Sequence, residues 1–314
     1  MVDITEQRQI HGTGVHVTRM GLGGAHLAHP SVPPAEADAL IRRALDHGIR
    51  YVDTAPLYGV GESERRFRDP LATLRRDDFT ASTKVGRLLD DSRHGWHFDF
   101  SGDGVRDSHA SSIERLGLER VDILYIHDAD DRYEAAIREA FPALRDLRAA
   151  GTVRAIGAGM NQWQMELRLA QEGDFDCFLL AGRYTLLEQE PLAEFFPYCE
   201  ANGIAVIAGG PYNSGILASD LGPAATYNYR AAPPEILAKA RRIKAVCDRF
   251  EVPLKAAALQ FVLAHPVIAS VIPGAQAAAE VDENVAMATF PIPSELWSAL
   301  KQDALIDEDA PTPR

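Results

Sequence analysis

The chain is poor in several things, and each shortage removes a class of function. Only three cysteines occur in 314 residues, Cys177, Cys199 and Cys247. They are odd in number and form no CxxC pair, so the sequence carries neither a disulfide framework nor a thiolate metal site. Free thiols of this kind suit a reducing, cytoplasmic compartment. Cations are also scarce: 32 Lys and Arg face 45 Asp and Glu, for a net charge of −13. That balance repels a phosphate backbone and an anionic bilayer, which argues against nucleic-acid and membrane partners. No apolar run approaches the roughly 18 residues of a membrane span, and the start, Met1 to Arg8, lacks the apolar segment of a signal peptide. GxGxxG, P-loop and nucleophile-elbow motifs are missing as well. His94, His97 and His109 match the spacing of no metal site, so no metal is expected.

What the chain does have is a hydrophobic fraction of 46% with 25% charged residues, enough apolar matter for a sizeable core and against global disorder. Apolar segments of two kinds alternate along it. Residues 35–47 place Ala37, Leu40, Ile41, Ala44 and Leu45 at helical spacing, with Gly48 as the stop. Short runs rich in branched and aromatic residues follow at 49–53, 79–84, 122–127, 153–157, 175–180, 204–207 and 267–272, and read as strands. Between them helical patterns cover 62–68, 105–116, 133–149, 162–171, 191–201, 234–250, 254–264 and 278–288, with a tail helix from 294. Residues 11–18 alternate like a hairpin, and the glycines of Met20 to Gly24 mark a tight bend after a strand. Residues 86–103, rich in Gly, Asp and aromatics, read as one long irregular loop.

This alternation has no linker, repeat or low-complexity break, so residues 1–314 read as a single α/β domain. Strands apolar on both faces require a parallel sheet covered by helices. A closed (β/α)₈ barrel with an N-terminal hairpin and extra C-terminal helices accommodates the count, and an open doubly wound sheet is the alternative.

In a parallel sheet the strand C-termini share one face. Asp53, Tyr58, Lys84 and His127 all fall at such ends, so a carboxylate, a phenol, an ammonium and an imidazole are expected to converge. A phenol titrates near 10 and is a poor base at neutral pH. A neighbouring ammonium lowers that value, and a carboxylate holds the ammonium in place. Tyr58 is thus the candidate acid–base group, with His127 orienting the reacting oxygen. The chemistry suited to such a set is carbonyl–alcohol interconversion with a nicotinamide cofactor.

At these residues the sequence resembles the aldo-keto reductases over essentially its whole length. Gly21-Leu22-Gly23, Asp53 to Gly59, Arg115-Leu116-Gly117, Gly151 to Gly157, Ile272-Pro273-Gly274 and Glu283-Asn284 carry the resemblance. It implies a (β/α)₈ TIM barrel with NAD(P) across the C-terminal mouth and Asp53, Tyr58, Lys84 and His127 as the catalytic set. Segments 127–131, 157–163, 182–189 and 209–215 are similar to the aldose 1-dehydrogenase branch, which acts on L-fucose, D-threo-aldoses, D-arabinose or related sugars at C1 and yields a lactone. A reductase of aldehydes or pyridoxal-like carbonyls is the alternative within enzymes, and a non-catalytic cofactor-binding regulatory subunit is the alternative outside them. The resemblance assigns cofactor contacts to Gly23, Gly209, Pro211, Gly215, Leu217, Gly274, Gln276, Glu280, Glu283 and Asn284.

Departures from the family pattern stand at Gly159-Met160, Ala181 and Gly209, where relatives carry Ser-Asn, Gln and an aromatic residue. Asn161 and Tyr184 are the candidates to replace the lost nicotinamide contacts. NADP-preferring relatives have Lys and Arg where this chain has Gly274 and Glu280, which points to NAD as the preferred cofactor and leaves NADP as the second choice. Trp96, His97, Tyr212 and Tyr229 are the candidate aromatic contacts to a small sugar or aldehyde. The remaining expectations are a cytoplasmic protein that is a monomer or small homo-oligomer.

Overall fold

Eight short parallel strands, each flanked by its neighbours in sequence order, form the centre of the molecule. The computed structural model describes residues 2–90 and 95–313. A hairpin, β1 (Gln7–Ile10) and β2 (Val15–Thr18), comes first. The barrel units then follow as β3 (Leu22–Gly23), α1 (Pro34–Asp46), β4 (Tyr51–Asp53), α2 (Glu62–Leu71) and β5 (Thr80–Val85). A second hairpin, β6 (Arg87–Leu89) and β7 (Trp96–Phe98), precedes α3 (Gly102–Leu116) and β8 (Ile123–His127). Helix α4 (Tyr133–Ala135) passes through a π-helical turn, Ala136–Ala140, into α5 (Phe141–Ala149). The next units are β9 (Ala155–Met160), α6 (Trp163–Glu172), β10 (Cys177–Ala181), α7 (Phe195–Asn202) and β11 (Ala205–Gly209). A small hairpin, β12 (Thr226–Tyr227) and β13 (Arg230–Ala231), leads to α8 (Pro234–Arg249), α9 (Leu254–Leu263) and β14 (Ile268–Ile272). Helices α10 (Ala278–Ala288) and α11 (Ser294–Gln302) complete the elements.

The sheet runs β14-β11-β10-β9-β8-β5-β4-β3, and parallel bridges from Met20 to Val271 and from Gly23 to Gly274 join its two edges. The sheet is therefore a closed barrel rather than an open one. The Arg19 guanidinium reinforces the seam by donating to the carbonyls of Ile268 and Leu263. A Cβ at Gly21 would stand 2.8 Å from the side chains of both Tyr51 and Ile272, so only glycine lets the first strand approach here.

Side chains alternate between two cores, as the period-2 geometry of strands requires. Tyr51, Ile123, Tyr125, Leu179 and Ile207 fill the barrel, and Ile10, Val15 and Val17 of the first hairpin plug its N-terminal end. Val52, Leu124, Ile126, Ile156, Phe178 and Val206 face outward against the helices. The apolar stripe of α1 is buried in this outer layer, and Gly48 beyond it takes φ 80°.

Three sequence expectations are corrected. Residues 86–103 are not one irregular loop: they hold β6 and β7, whose register pairs Arg87 with Phe98 and Leu89 with Trp96. Alternation over only three residues a side is too short to register as a strand pattern. Helix α3 also starts earlier than expected, because the Ser101 hydroxyl accepts from the Gly104 N–H and caps a glycine-rich first turn. The first hairpin begins at Gln7 rather than at residue 11, its leading strand being exposed except for Ile10.

Candidate active site

Strands β4, β5 and β8 are adjacent, and their C-terminal ends deliver Asp53, Lys84 and His127 to the same mouth of the barrel. Tyr58 comes from the turn that follows β4. All four expected residues converge. Lys84 Nζ donates to Asp53 Oδ2 at 2.7 Å and to the Thr54 carbonyl at 2.9 Å. The Ser82 hydroxyl donates to Asp53 Oδ1 at 2.7 Å, so both carboxylate oxygens are fixed. Nζ also lies 4.8 Å from the centre of the Tyr58 ring, and that ring meets His127 edge-on with centroids 5.8 Å apart.

Burial dominates the electrostatics. Lys84 is 1% exposed. Burial alone would depress its pKa, but the charge and hydrogen bond of Asp53 outweigh that and hold it above the ordinary lysine value. Burial pushes the Tyr58 phenol above its usual value; the Lys84 ammonium lowers it, Asp53 raises it again, and the balance stays upward. The expectation of an acidified phenol is thereby corrected. The ammonium does lower the phenol, but burial outweighs it. His127 is driven well below the usual imidazole range by burial first and by Lys84 and Arg87 next, so it is neutral. Its Nδ1 is buried with no protein partner among the described residues.

The floor of the mouth is made of glycine. A Cβ at Gly159 would project to 3.6 Å from Lys84 Cε, and one at Gly209 to 3.3 Å from Leu179. Gly215 takes φ 94° with open space where a Cβ would be, and Gly23 and Gly274 pair across the seam. This glycine shelf, with the His26 ring against Gly274 and the N-terminus of α10 beyond it, fits a flat nicotinamide and a diphosphate. Asn161 stands at its edge, its amide Nδ2 donating to the Ala181 carbonyl at 2.6 Å. Its carboxamide oxygen makes no protein hydrogen bond among the described residues.

A family model described as aldo/keto reductase matches residues 19–304. The chain belongs to the aldo/keto reductase family. It is 40% identical to a D-threo-aldose 1-dehydrogenase of a Pseudomonas species, with 96% of this chain and 97% of that protein covered. It is 39% identical to a pyridoxal 4-dehydrogenase of Microbacterium luteolum, covering 96% and 98%. Among solved structures, the holo form of aldo-keto reductase AKR11C1 from Bacillus halodurans superposes with a TM-score of 0.80 at 26% identity, covering 96% of each chain. This aldo/keto reductase is an oxidoreductase of the nicotinamide-dependent type. The reading as a non-catalytic regulatory subunit therefore falls away.

Several contact residues expected for this aldo/keto reductase stand elsewhere. Tyr184 is buried in the outer core against Phe196, Phe261 and His265 and presents no face to the mouth. Leu217 is 0% exposed, packed beneath its loop, so its side chain offers a ligand no surface. Tyr212 donates from its hydroxyl to Asn284 Oδ1 at 2.8 Å, and Lys255 lies over its ring, which puts Tyr212 beside α10 and away from the tetrad. Glu283 is paired with Lys255 at 2.6 Å. In β7, His97 points opposite to Trp96, bonds Asp90, and lines a cavity of about 910 Å³ with Arg65, Arg68 and Arg115. Trp96, 38% exposed, and Tyr229, 82% exposed, remain available, as does the half-buried Gln276, whereas Pro211 is buried. Among the described residues no group of three His, Cys, Asp or Glu is placed to hold a metal.

Residues that the sequence did not flag also surround the mouth. Ser82 orients Asp53, and Arg87 pairs with Asp128 at 2.7 Å beside His127. Glu36 of α1 accepts from the Ala278 N–H at 2.9 Å at the start of α10, beside the expected Glu280. Contacts of this kind join segments far apart in sequence, so spacing holds no signal for them. Asp128 was the exception, sitting next to His127.

Proposed function

We propose that this enzyme oxidises the hemiacetal carbon of a cyclic aldose to a lactone, with NAD as the preferred cofactor. The observation that carries the proposal is the buried chain from Ser82 through Asp53 and Lys84 to the Tyr58 ring. Bound nicotinamide supplies the hydride acceptor. Tyr58 takes the anomeric hydroxyl proton, Lys84 stabilises the negative charge on the phenol oxygen, and Asp53 keeps Lys84 charged and in place. Neutral His127 aligns the substrate oxygen through a hydrogen bond and adds no charge of its own.

Pyridoxal-like substrates are a second reading, favoured by the similarity to the pyridoxal 4-dehydrogenase. The two readings share their chemistry, because the pyridoxal aldehyde closes on its neighbouring hydroxymethyl group to give a cyclic hemiacetal. Preference for NAD is supported by the Glu36 and Glu280 carboxylates at the N-terminus of α10, where a 2′-phosphate would meet like charge. Three buried free thiols are in keeping with a cytoplasmic, single-domain enzyme acting as a monomer or small homo-oligomer.

The test follows nicotinamide absorbance with NAD and NADP over a panel of aldoses, pyridoxal and simple aldehydes, with Tyr58→Phe as control. Turnover of aldoses that falls by about 10²–10⁴-fold in Tyr58→Phe is expected. Turnover confined to simple aldehydes would refute the aldose reading.

A further inference from the structure

Above Lys84 and His127 the barrel mouth carries a second polar pair. Arg87, three residues beyond Lys84, donates from Nη2 to Asp128 Oδ2 at 2.7 Å, and that carboxylate oxygen lies 3.6 Å from His127 Nε2. The two side chains are 16% and 23% exposed, neither sealed in the core nor free in solvent. Asp128 sits in left-handed backbone at φ 43°, uncommon for a residue with a Cβ. Its N–H donates to the Gly159 carbonyl at 3.0 Å, which fixes that conformation. Trp96 and Phe98 lie over the Arg87 guanidinium at 4.8 and 5.1 Å, and Trp96 keeps an exposed face on the rim. Among the described residues the guanidinium makes this one hydrogen bond, so donor capacity remains beside an acceptor carboxylate.

We propose that Arg87 and Asp128, roofed by Trp96, form a hydroxyl-recognition subsite that selects substrates with a hydroxyl on the carbon next to the reacting one. An alcohol donates and accepts at once, so it bridges the pair, accepting from the guanidinium and donating to the carboxylate. A methylene in its place leaves both charged groups facing apolar surface once substrate expels water, and that penalty is what discriminates. The apolar face of a sugar ring rests on the indole. The subsite rests on the reading that the reacting carbon belongs to a hydroxylated ring, and it assigns to that ring the C2 hydroxyl as its recognised group.

The experiment measures kcat/KM for matched pairs that differ only in that hydroxyl. Oxidation is compared for D-arabinose and 2-deoxy-D-ribose, and reduction for lactaldehyde and propanal. Wild-type enzyme is expected to favour the hydroxylated member by at least about 100-fold, short of the roughly 10⁴–10⁵ of fully buried hydroxyl sites because the pair is partly exposed. In Asp128→Asn and Arg87→Met the ratio should contract at least tenfold, chiefly through KM of the hydroxylated member. A pair that merely ties the β6–β7 hairpin to the mouth would leave the ratio unmoved. Equal turnover of the matched members by wild-type enzyme, which requires no variant to fold, overturns the proposal, as does turnover of neither. Selectivity between lactaldehyde and propanal without aldose oxidation would uphold the subsite and refute the aldose reading; aldose oxidation without selectivity would do the reverse.

Discussion

Lys84 and Asp53 are joined at 2.7 Å inside the barrel mouth, and each is almost wholly withdrawn from water. Desolvating two charges is costly, so the pair holds only because Ser82 and the Thr54 carbonyl satisfy the remaining polar atoms. It follows that the two residues cannot be altered singly without a penalty. Asp53→Asn strands an ammonium in the core and should cost about 3–5 kcal/mol of stability in urea unfolding, along with most of the activity. Asp53→Leu combined with Lys84→Met should recover much of the stability and none of the activity. A fully active double variant would remove the pair from the chemistry.

The pH profile follows from the direction of two shifts. Tyr58 is raised above its ordinary value near 10, so the phenolate that serves oxidation is a minor species at neutral pH. kcat/KM for oxidation should therefore climb with pH and reach no plateau below about 10, while reduction, which uses the neutral phenol, stays level over that range. His127 is lowered well below its usual value, so neither profile should break near pH 6.5. An oxidation plateau at pH 7 would show that the ammonium acidifies the phenol after all.

Cofactor choice turns on two carboxylates from different elements. Glu36 and Glu280 each accept a backbone N–H at the start of α10. Replacing both with Gln keeps an acceptor and removes the repulsion, so relative kcat/KM for NADP over NAD should rise by roughly three- to tenfold, the scale of exposed charge effects. The dissociation constants of the two cofactors, measured by quenching of tryptophan emission, should move in the same direction.

Glu166 in α6 is fully buried, and among the described residues neither carboxylate oxygen has a hydrogen-bond partner. Burial raises its pKa well above the usual value. A carboxyl raised in the folded state destabilises it progressively as pH climbs past the unfolded value near 4.3. Glu166→Gln should thus raise Tm by several degrees at pH 8 and by less at pH 5. An equal change at both values would rule out a titrating carboxyl as the cause.

The barrel and its tetrad were legible because both rest on local patterns. Strand ends announce themselves through apolar runs that stop, and a parallel sheet places every such end on one face. Asp53, Lys84 and His127 could therefore be assembled from position alone. Tyr184 was misplaced for the complementary reason: an aromatic residue just past a strand end can turn toward ligand or core, and here Phe196 and Phe261 took it into the core. His97 and Trp96 are neighbours, yet a three-residue strand sends them to opposite sides of the hairpin.

The sequence by itself determined the order of the barrel strands, their parallel arrangement and the identities of the four polar ends, since each depends on periodicity within about a dozen residues. Only the tertiary structure decided whether the sheet closed, through the contacts of Met20 and Gly23 with Val271 and Gly274 across some 250 positions. It also decided how the charges of the mouth are shared, because burial is a property of the packed molecule. The Lys84 ammonium binds Asp53 and also acts on the phenol, yet burial outweighs it there, a balance that residue identity alone could not reveal.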